Sequence, residues 1–277
     1  MAQKEFSVID FSVSQERFVL RKNEQFGFLE TYPQPKELSG YYESDEYISH
    51  TDRKVSLIDK LYQWVKQINL QTKVGWVRKY APKASTILDM GCGTGDFLVL
   101  AQKEKFKVSG VEPNLVARNR ALAKGVNASP NLESAMVNGI SVITLWHVLE
   151  HIPNLKEQLS AIHSRLSNDG VLFVAVPNHN SFDANWYKNY WAAYDVPRHL
   201  WHFNKQSINR LLAAHNFEVV ATRPMWFDAF YVSLLSEKYK KGYVNYFMAF
   251  IVACCSNFMT LFTGECSSLV YVAKKRA

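Results

Sequence analysis

Three glycines at alternate positions, Gly91, Gly93 and Gly95, follow the apolar run Thr86-Ile-Leu-Asp89-Met and precede Phe97-Leu-Val-Leu-Ala101. That order predicts a buried strand, a tight loop and an apolar helix. Glycine permits such a loop because it lacks a Cβ and takes up left-handed backbone readily. A loop of this kind, between the carboxyl end of a strand and a helix N-terminus, lines with N–H groups the place where open α/β sheets bind their ligands. The spacing is not the G-x-G-x-x-G of a dinucleotide site. The third glycine comes one residue early, and Asp96 stands in the dinucleotide position. Asp89, just before the first glycine, suits a cation better than a pyrophosphate, because like charges held close repel. About twenty residues on, Lys107-Val-Ser-Gly-Val reads as a second strand ending in Glu112, a carboxylate able to accept both hydroxyls of a ribose.

A second group of residues could move protons. The apolar strand Ser141-Val-Ile-Thr-Leu-Trp146 runs into His147-Val-Leu-Glu150-His151. This matches the inverted zinc-protease pattern H-x-x-E-H, but that pattern requires a continuous helix. Here it begins at a strand end and stops at Pro153, which speaks against a protease. Further along, Trp191, Tyr194-Asp195-Val-Pro-Arg198-His199-Leu-Trp201-His202 gathers aromatic rings around an acid, a guanidinium and imidazoles. Histidine titrates near neutral pH and suits general-base work. His147, His151, His199 and His202 are the candidates, with His199 preferred. Asp195 and Arg198 read equally as a structural ion pair and as substrate contacts, with Trp191 and Trp201 beside them. Cys92, Cys254, Cys255 and Cys266 form no metal-ligand spacing, and a reduced, cytoplasmic setting is expected.

Taken together, Asp89-Met-Gly-Cys-Gly-Thr-Gly95, Val111-Glu-Pro-Asn114, Leu145-Trp-His-Val-Leu-Glu-His-Ile-Pro-Asn154 and Val171-Leu-Phe-Val-Ala-Val-Pro-Asn178 resemble the class I S-adenosylmethionine-dependent methyltransferases. The likeness is to the small-molecule branch that includes the ubiquinone-biosynthesis O-methyltransferases, and it covers roughly residues 75 to 275. It implies S-adenosyl-L-methionine as cofactor. Asp89, Gly91, Cys92, Gly93 and Gly95 match the loop that cradles its amino acid end, and Glu112 matches the acid on its ribose. Trp146 and His147 match positions beside the adenosine and the transferred methyl group. The adenine contact falls near Asn127 to Leu132, and the acid that commonly opens the fourth strand is replaced by Ile140-Ser141. In the ubiquinone enzymes the stretch equivalent to His147, Glu150 and His151 can hold a divalent metal; here those residues are read as shaping the site, with no metal expected. Asp195 to Leu200 matches a D-x-P-R-H-L stretch of polysaccharide-associated methyltransferases. The N-terminal segment resembles the zinc-binding start of certain sugar-modifying methyltransferases, but Asn23 and Phe26 stand where a cysteine pair would be, so no zinc is expected there.

These residues need a scaffold. The expected fold is α/β: a Rossmann-like seven-stranded sheet with helices on both faces. An irregular extension over residues 1–50 should precede a methyltransferase domain over 51–277. Two insertions, at about 178–203 and 224–265, should lie near the site. A helix from about Thr51, with Asp52 near its cap, leads into the core through Val55, Ile58, Leu61, Val65 and Ile68. The second insertion contains an apolar run from Tyr243 to Phe262, long enough to raise a membrane span of roughly 20 residues. It is read first as a helix covering the active-site mouth or core, then as a homodimer face, then as a membrane-surface contact for a lipid-linked substrate. With 277 residues, 48% hydrophobic, the chain can bury a sizeable core. The formal charge of +7 is scattered rather than striped, which disfavours nucleic acid. The N-terminus reads as lacking a signal peptide. The reading is therefore methyl transfer to a small-molecule hydroxyl, a sugar or sugar-linked intermediate before a quinone-type phenol. A non-catalytic S-adenosylmethionine-binding module is the alternative.

Overall fold

The computed structural model describes residues 6–42, 57–135 and 138–276. Short antiparallel strands β1 (Phe6–Ile9), β2 (Arg17–Lys22) and β3 (Leu29–Tyr32) come first, then the long helix α1 (Leu57–Tyr80). Strand β4 (Thr86–Met90), helix α2 (Asp96–Lys103), strand β5 (Lys107–Val111), helix α3 (Leu115–Ala123) and the two-residue β6 (Ala128–Ser129) form the first half of the core. The second half holds β7 (Ile140–Trp146), α4 (Leu155–Arg165) and β8 (Leu166–Pro177). After the first insertion, with α5 (Phe182–Tyr187) and β9 (Trp201–His202), come α6 (Lys205–Ala214) and β10 (Phe217–Pro224). Helices α7 (Asp228–Lys241) and α8 (Tyr246–Thr263) form the second insertion, and β11 (Ser268–Lys275) closes the sheet.

The main sheet has seven strands in the order β10-β11-β8-β7-β4-β5-β6. Strands β4 to β8 run parallel, and β11 is antiparallel to both its neighbours. Strands buried on both faces must be apolar at successive positions, and alternation decides which core each side chain enters. Leu88, Ile143 and Leu172 point to one core with α4 and α6. Ile87, Val142 and Val171 point to the other with α1 and α2. The expected seven-stranded sheet with helices on both faces is therefore present. The chain order reverses between β4 and β7, which makes their carboxyl ends the crevice.

One expectation needs correction. The N-terminal extension is not irregular: β1, β2 and β3 pair with β9 of the first insertion as a second sheet. Val8, Phe18 and Leu20 bury against Tyr187, Trp191 and Tyr194 as a third core. Asn23 and Phe26 lie in the turn between β2 and β3, where the Phe26 N–H donates to Asn23 Oδ1 at 2.7 Å. Helix α8 covers the third core, one of the expected roles for the apolar run, but it does so with its small residues: Ala249, Val252, Ala253, Ser256 and Thr260 are buried. The expected start of α1 at Thr51, Asp52 and Val55 lies outside the described residues.

Candidate active site

The glycine loop is shaped from below by packing and from above by hydrogen bonds. Gly91 and Gly93 have φ of 66° and 53°, the left-handed region where a Cβ is strained. A Cβ on Gly91 would meet Val148 at 2.4 Å, whereas one on Gly93 meets nothing within 4 Å. Gly91 is therefore wedged against protein, and Gly93 opens onto the crevice. The loop N–H groups, expected to line the site, are mostly engaged internally. Those of Gly91 and Cys92 donate to Val111 O, and that of Gly95 to Cys92 O. The Gly93 N–H donates to Glu112 Oε2 at 2.8 Å, while the Asn114 N–H donates to Glu112 Oε1 at 2.9 Å. Asp96 occupies the first turn of α2 and pairs with Lys66 at 2.5 Å and Lys124 at 2.6 Å. A helix start already holding a carboxylate, with its loop N–H groups in use, is a poor phosphate site and a good one for neutral or cationic groups.

Asp89, at the end of β4, is 3% exposed and accepts the Thr144 hydroxyl at 2.6 Å. Burial raises its pKa to about 7, against the opposing pull of the Thr144 hydrogen bond and Lys73. Lys73 reaches over from α1; burial lowers its pKa while Asp89 and Asp228 pull it up. Its ammonium lies 4.6 Å above the Trp146 ring, which also contacts Phe97 and Phe173. The indole N–H of Trp146 is buried without a hydrogen-bond partner. Cys92 is buried beneath the loop, its sulfur packed so close to Gly110 that a Cβ there would come within 2.5 Å. Burial pushes its thiol up to about 12, so Cys92 is packing rather than a nucleophile.

His147 follows Trp146 with a φ of 57°, an uncommon conformation for a side-chain-bearing residue and one that cores hold where a position matters. Its Nε2 lies 3.0 Å from Asp228 Oδ2 and its Nδ1 3.5 Å from Glu150 Oε1. Burial alone would lower its pKa, but the two acids, Asp228 first, prevail and raise it to about 9. Both acids are held below their ordinary values, against the effect of burial, by the same imidazolium. At neutral pH His147 is thus a cation between two anions. His151 Nδ1 lies 3.0 Å from Arg198 O, and its ring meets that of His199 at 4.6 Å. Burial, then the nearby His199, push His151 down to about 4, so it is neutral. His199 Nδ1 lies 2.9 Å from Ala193 O, and its Nε2 faces Asp195 at 3.9 Å. One donor atom each of Glu150, His151 and His199 lie within 4.8 Å of one another, the group among the described residues best placed to hold a metal.

The other acceptor-side residues sit inside the protein. Arg198 is 3% exposed, and its guanidinium donates to Asp195, to Asp10 at 3.1 Å and to Tyr41 O at 2.9 Å. This places Arg198 as the pin between the extension and the first insertion. Trp191 is buried and donates its indole N–H to Asp183 at 2.7 Å. Trp201 donates to Ile152 O at 2.7 Å and packs on Phe28. Buried His202 is held neutral by desolvation and lies 2.9 Å from Thr31 Oγ1. The sequence reading missed Lys73 and Asp228. A lysine on the same helix face as Leu70, Val74 and Val77 was the available signal for the first.

The family model of a methyltransferase domain matches residues 60–222. The ubiquinone biosynthesis O-methyltransferase of Pseudomonas paraeruginosa strain PA7 is 28% identical over 119 residues, 39% of this chain and 51% of that protein. The enzyme of the same name from Serratia proteamaculans is 32% identical over 106 residues, 35% of this chain and 44% of its own. The chain thus spans about half the length of the curated relatives it matches. Magnesium protoporphyrin IX methyltransferase from Synechocystis PCC 6803, solved with bound SAH, superposes with a TM-score of 0.57 at 13% identity, over 88% of this chain and all of that one. Phosphoethanolamine N-methyltransferase 2 of Haemonchus contortus gives 0.56 at 14%, over 90% and 62%. With the family model covering more than half of its length, the chain belongs to the methyltransferase domain family and is built as a class I S-adenosylmethionine-dependent methyltransferase.

Proposed function

We propose that the chain catalyses methyl transfer from S-adenosylmethionine to a hydroxyl of a small molecule. The observation that carries this reading is the cradle at the carboxyl ends of β4, β5 and β7, with Gly93 open above it and Asp89, Glu112 and Trp146 around it. The residues fit the cofactor: Asp89 would hold its ammonium, Lys73 its carboxylate, and Glu112 its ribose hydroxyls. Bound there, the sulfonium supplies an electrophilic methyl group. The chain's part is then alignment and proton handling. His147, already protonated, is no base at neutral pH; its imidazolium fixes Asp228 and Glu150 at the crevice. We assign His199 to receive the acceptor's proton. Its Nδ1 is anchored on Ala193 O, which leaves Nε2 as the working nitrogen.

For the acceptor, a sugar or sugar-linked hydroxyl is favoured over a quinone-type phenol. The D-x-P-R-H-L stretch and the N-terminal extension both resemble polysaccharide-associated enzymes, and Arg198 ties them into one unit through Asp10. The phenol reading draws on the printed name of the curated relatives. Methyl transfer with labelled cofactor to nucleotide sugars, phenolic quinone precursors and RNA separates these readings. Turnover of a sugar is expected, undiminished by a chelator. Turnover of a phenol alone moves the assignment to the second acceptor, and transfer to RNA alone or to nothing overturns the reading.

A further inference from the structure

Helix α8 is amphipathic by size rather than by polarity. Its 18 residues carry no charge, and its buried stripe consists of Ala249, Val252, Ala253, Ser256 and Thr260. The outward face carries Tyr246, Phe247, Phe250, Phe258, Leu261 and Phe262, of which Phe247 is 75% and Phe262 73% exposed. A helix serving only the core of its own domain would turn these rings inward. Trp226, also exposed, extends the patch toward the crevice: its carbonyl accepts the Asn257 amide at 2.9 Å, and Asp228, two residues on, is the partner of His147. The charges beside the patch have one outward sign. The last turn of α7 carries Lys238, Lys240 and Lys241, while the acids of that helix turn inward, Asp228 to His147 and Glu237 to a buried site where it meets Lys241 at 3.1 Å.

We infer that the α7–α8 hairpin is a membrane-docking surface that seats the enzyme on a bilayer rich in anionic headgroups, with the crevice beside the lipid. Aromatic side chains with a fringe of lysines are the composition of helices that lie in the interfacial plane, and each lysine near an anionic surface adds attraction. The helix lies on the bilayer rather than across it. Its length is about 27 Å at 1.5 Å per residue, short of the roughly 30 Å hydrocarbon core. Its inner face is occupied by protein, and the chain on either side returns to the neighbouring strands β10 and β11 of one sheet. An acceptor carried on a lipid tail would then reach the crevice without leaving the membrane.

The test is cosedimentation of the full chain with vesicles of phosphatidylcholine, with and without phosphatidylglycerol. Light scattering on the same preparations reports the oligomeric state. Binding to phosphatidylglycerol vesicles is expected, weaker with phosphatidylcholine alone. In a Phe258→Glu/Phe262→Glu variant it should fall by about tenfold or more, and Lys240→Glu should weaken the preference for the anionic lipid. Phe258, Phe262 and Lys240 are exposed, so melting temperature and S-adenosylhomocysteine affinity should stay at the wild-type values; this separates failure of the docking surface from failure of the methyltransferase reading. No sedimentation with either vesicle overturns the inference. So does a wild-type dimer that the Phe258→Glu/Phe262→Glu variant converts to a monomer, which assigns the patch to a second copy of the chain.

Discussion

The two sides of the crevice are built differently. The cofactor side is largely local: β4, the glycine loop and Glu112 after β5 lie within residues 86 to 112, where Glu112 closes back on Gly93 at 2.8 Å, joined by Lys73 of α1 and Trp146 of β7. The acceptor side is assembled from distant parts. Arg198 reaches Asp10 across 188 positions, Thr31 donates to His199 O across 168, and His147 meets Asp228 on the second insertion. On the first side the proposed ligand contacts sit on a loop shaped by its backbone, by packing and by the Glu112 carboxylate. On the second, several side chains that resemble substrate contacts hold the protein together.

The sharpest way to break that contrast is Arg198→Ala. Removing one partner from a buried ion cluster leaves uncompensated charge on Asp10 and Asp195, so stability to denaturant should fall by about 3–5 kcal/mol. Cofactor affinity should hold wherever the variant is folded. A variant of wild-type stability with a raised KM for the acceptor would make Arg198 a substrate contact and erase the distinction.

Asp89 gives the opposite behaviour, an effect on ligand rather than fold. Burial raises its carboxyl to about 7. Below that pH, binding an ammonium requires expelling a proton, so affinity for S-adenosylhomocysteine should weaken by about tenfold per pH unit under 7 and level off above it. Asp89→Asn should bind weakly and without this slope. Titrations between about pH 5 and 8 read both outcomes. A flat wild-type profile would remove Asp89 from ligand contact.

The smallest effect concerns His147. Its folded-state value of about 9 lies above the ordinary 6.5. Its contribution to stability is therefore complete below 6.5 and is lost as pH rises through 9. The melting temperature should drift down by a few degrees across that window, and His147→Asn should abolish this component of the drift. An unchanged profile in the variant would mean that the Asp228–His147–Glu150 array is not the titrating unit.

The contrast also explains what could be read from the chain alone. The long core strands were legible because buried strands are largely apolar, as in Ile140–Trp146 and Val171–Val176, and the glycine loop because its spacing is local; the two-residue β6 was not, and the count of seven came from the family likeness. Strands β1 to β3 were not legible. They are four to six residues long, and Val8, Phe18 and Leu20 face a core completed by Trp191 and Tyr194 far along the chain. On the acceptor side the Asp195–Arg198 ion pair was one of two readings the sequence left open, but a D-x-P-R-H-L stretch does not say that Arg198 also reaches Asp10. The apolar run of α8 was read first as cover for the site mouth or the core, but such a run does not reveal which of its side chains will face outward.

The central claim is that the opening above Gly93 is cofactor space. Calorimetric titration of S-adenosylhomocysteine into the wild type and Gly93→Val tests it most directly, with NAD as the control ligand and circular dichroism to confirm that the variant is folded. The account predicts saturable binding to the wild type, none to the folded variant, and no heat with NAD. Equal affinity in wild type and folded Gly93→Val, or binding of NAD in place of S-adenosylhomocysteine, would contradict it.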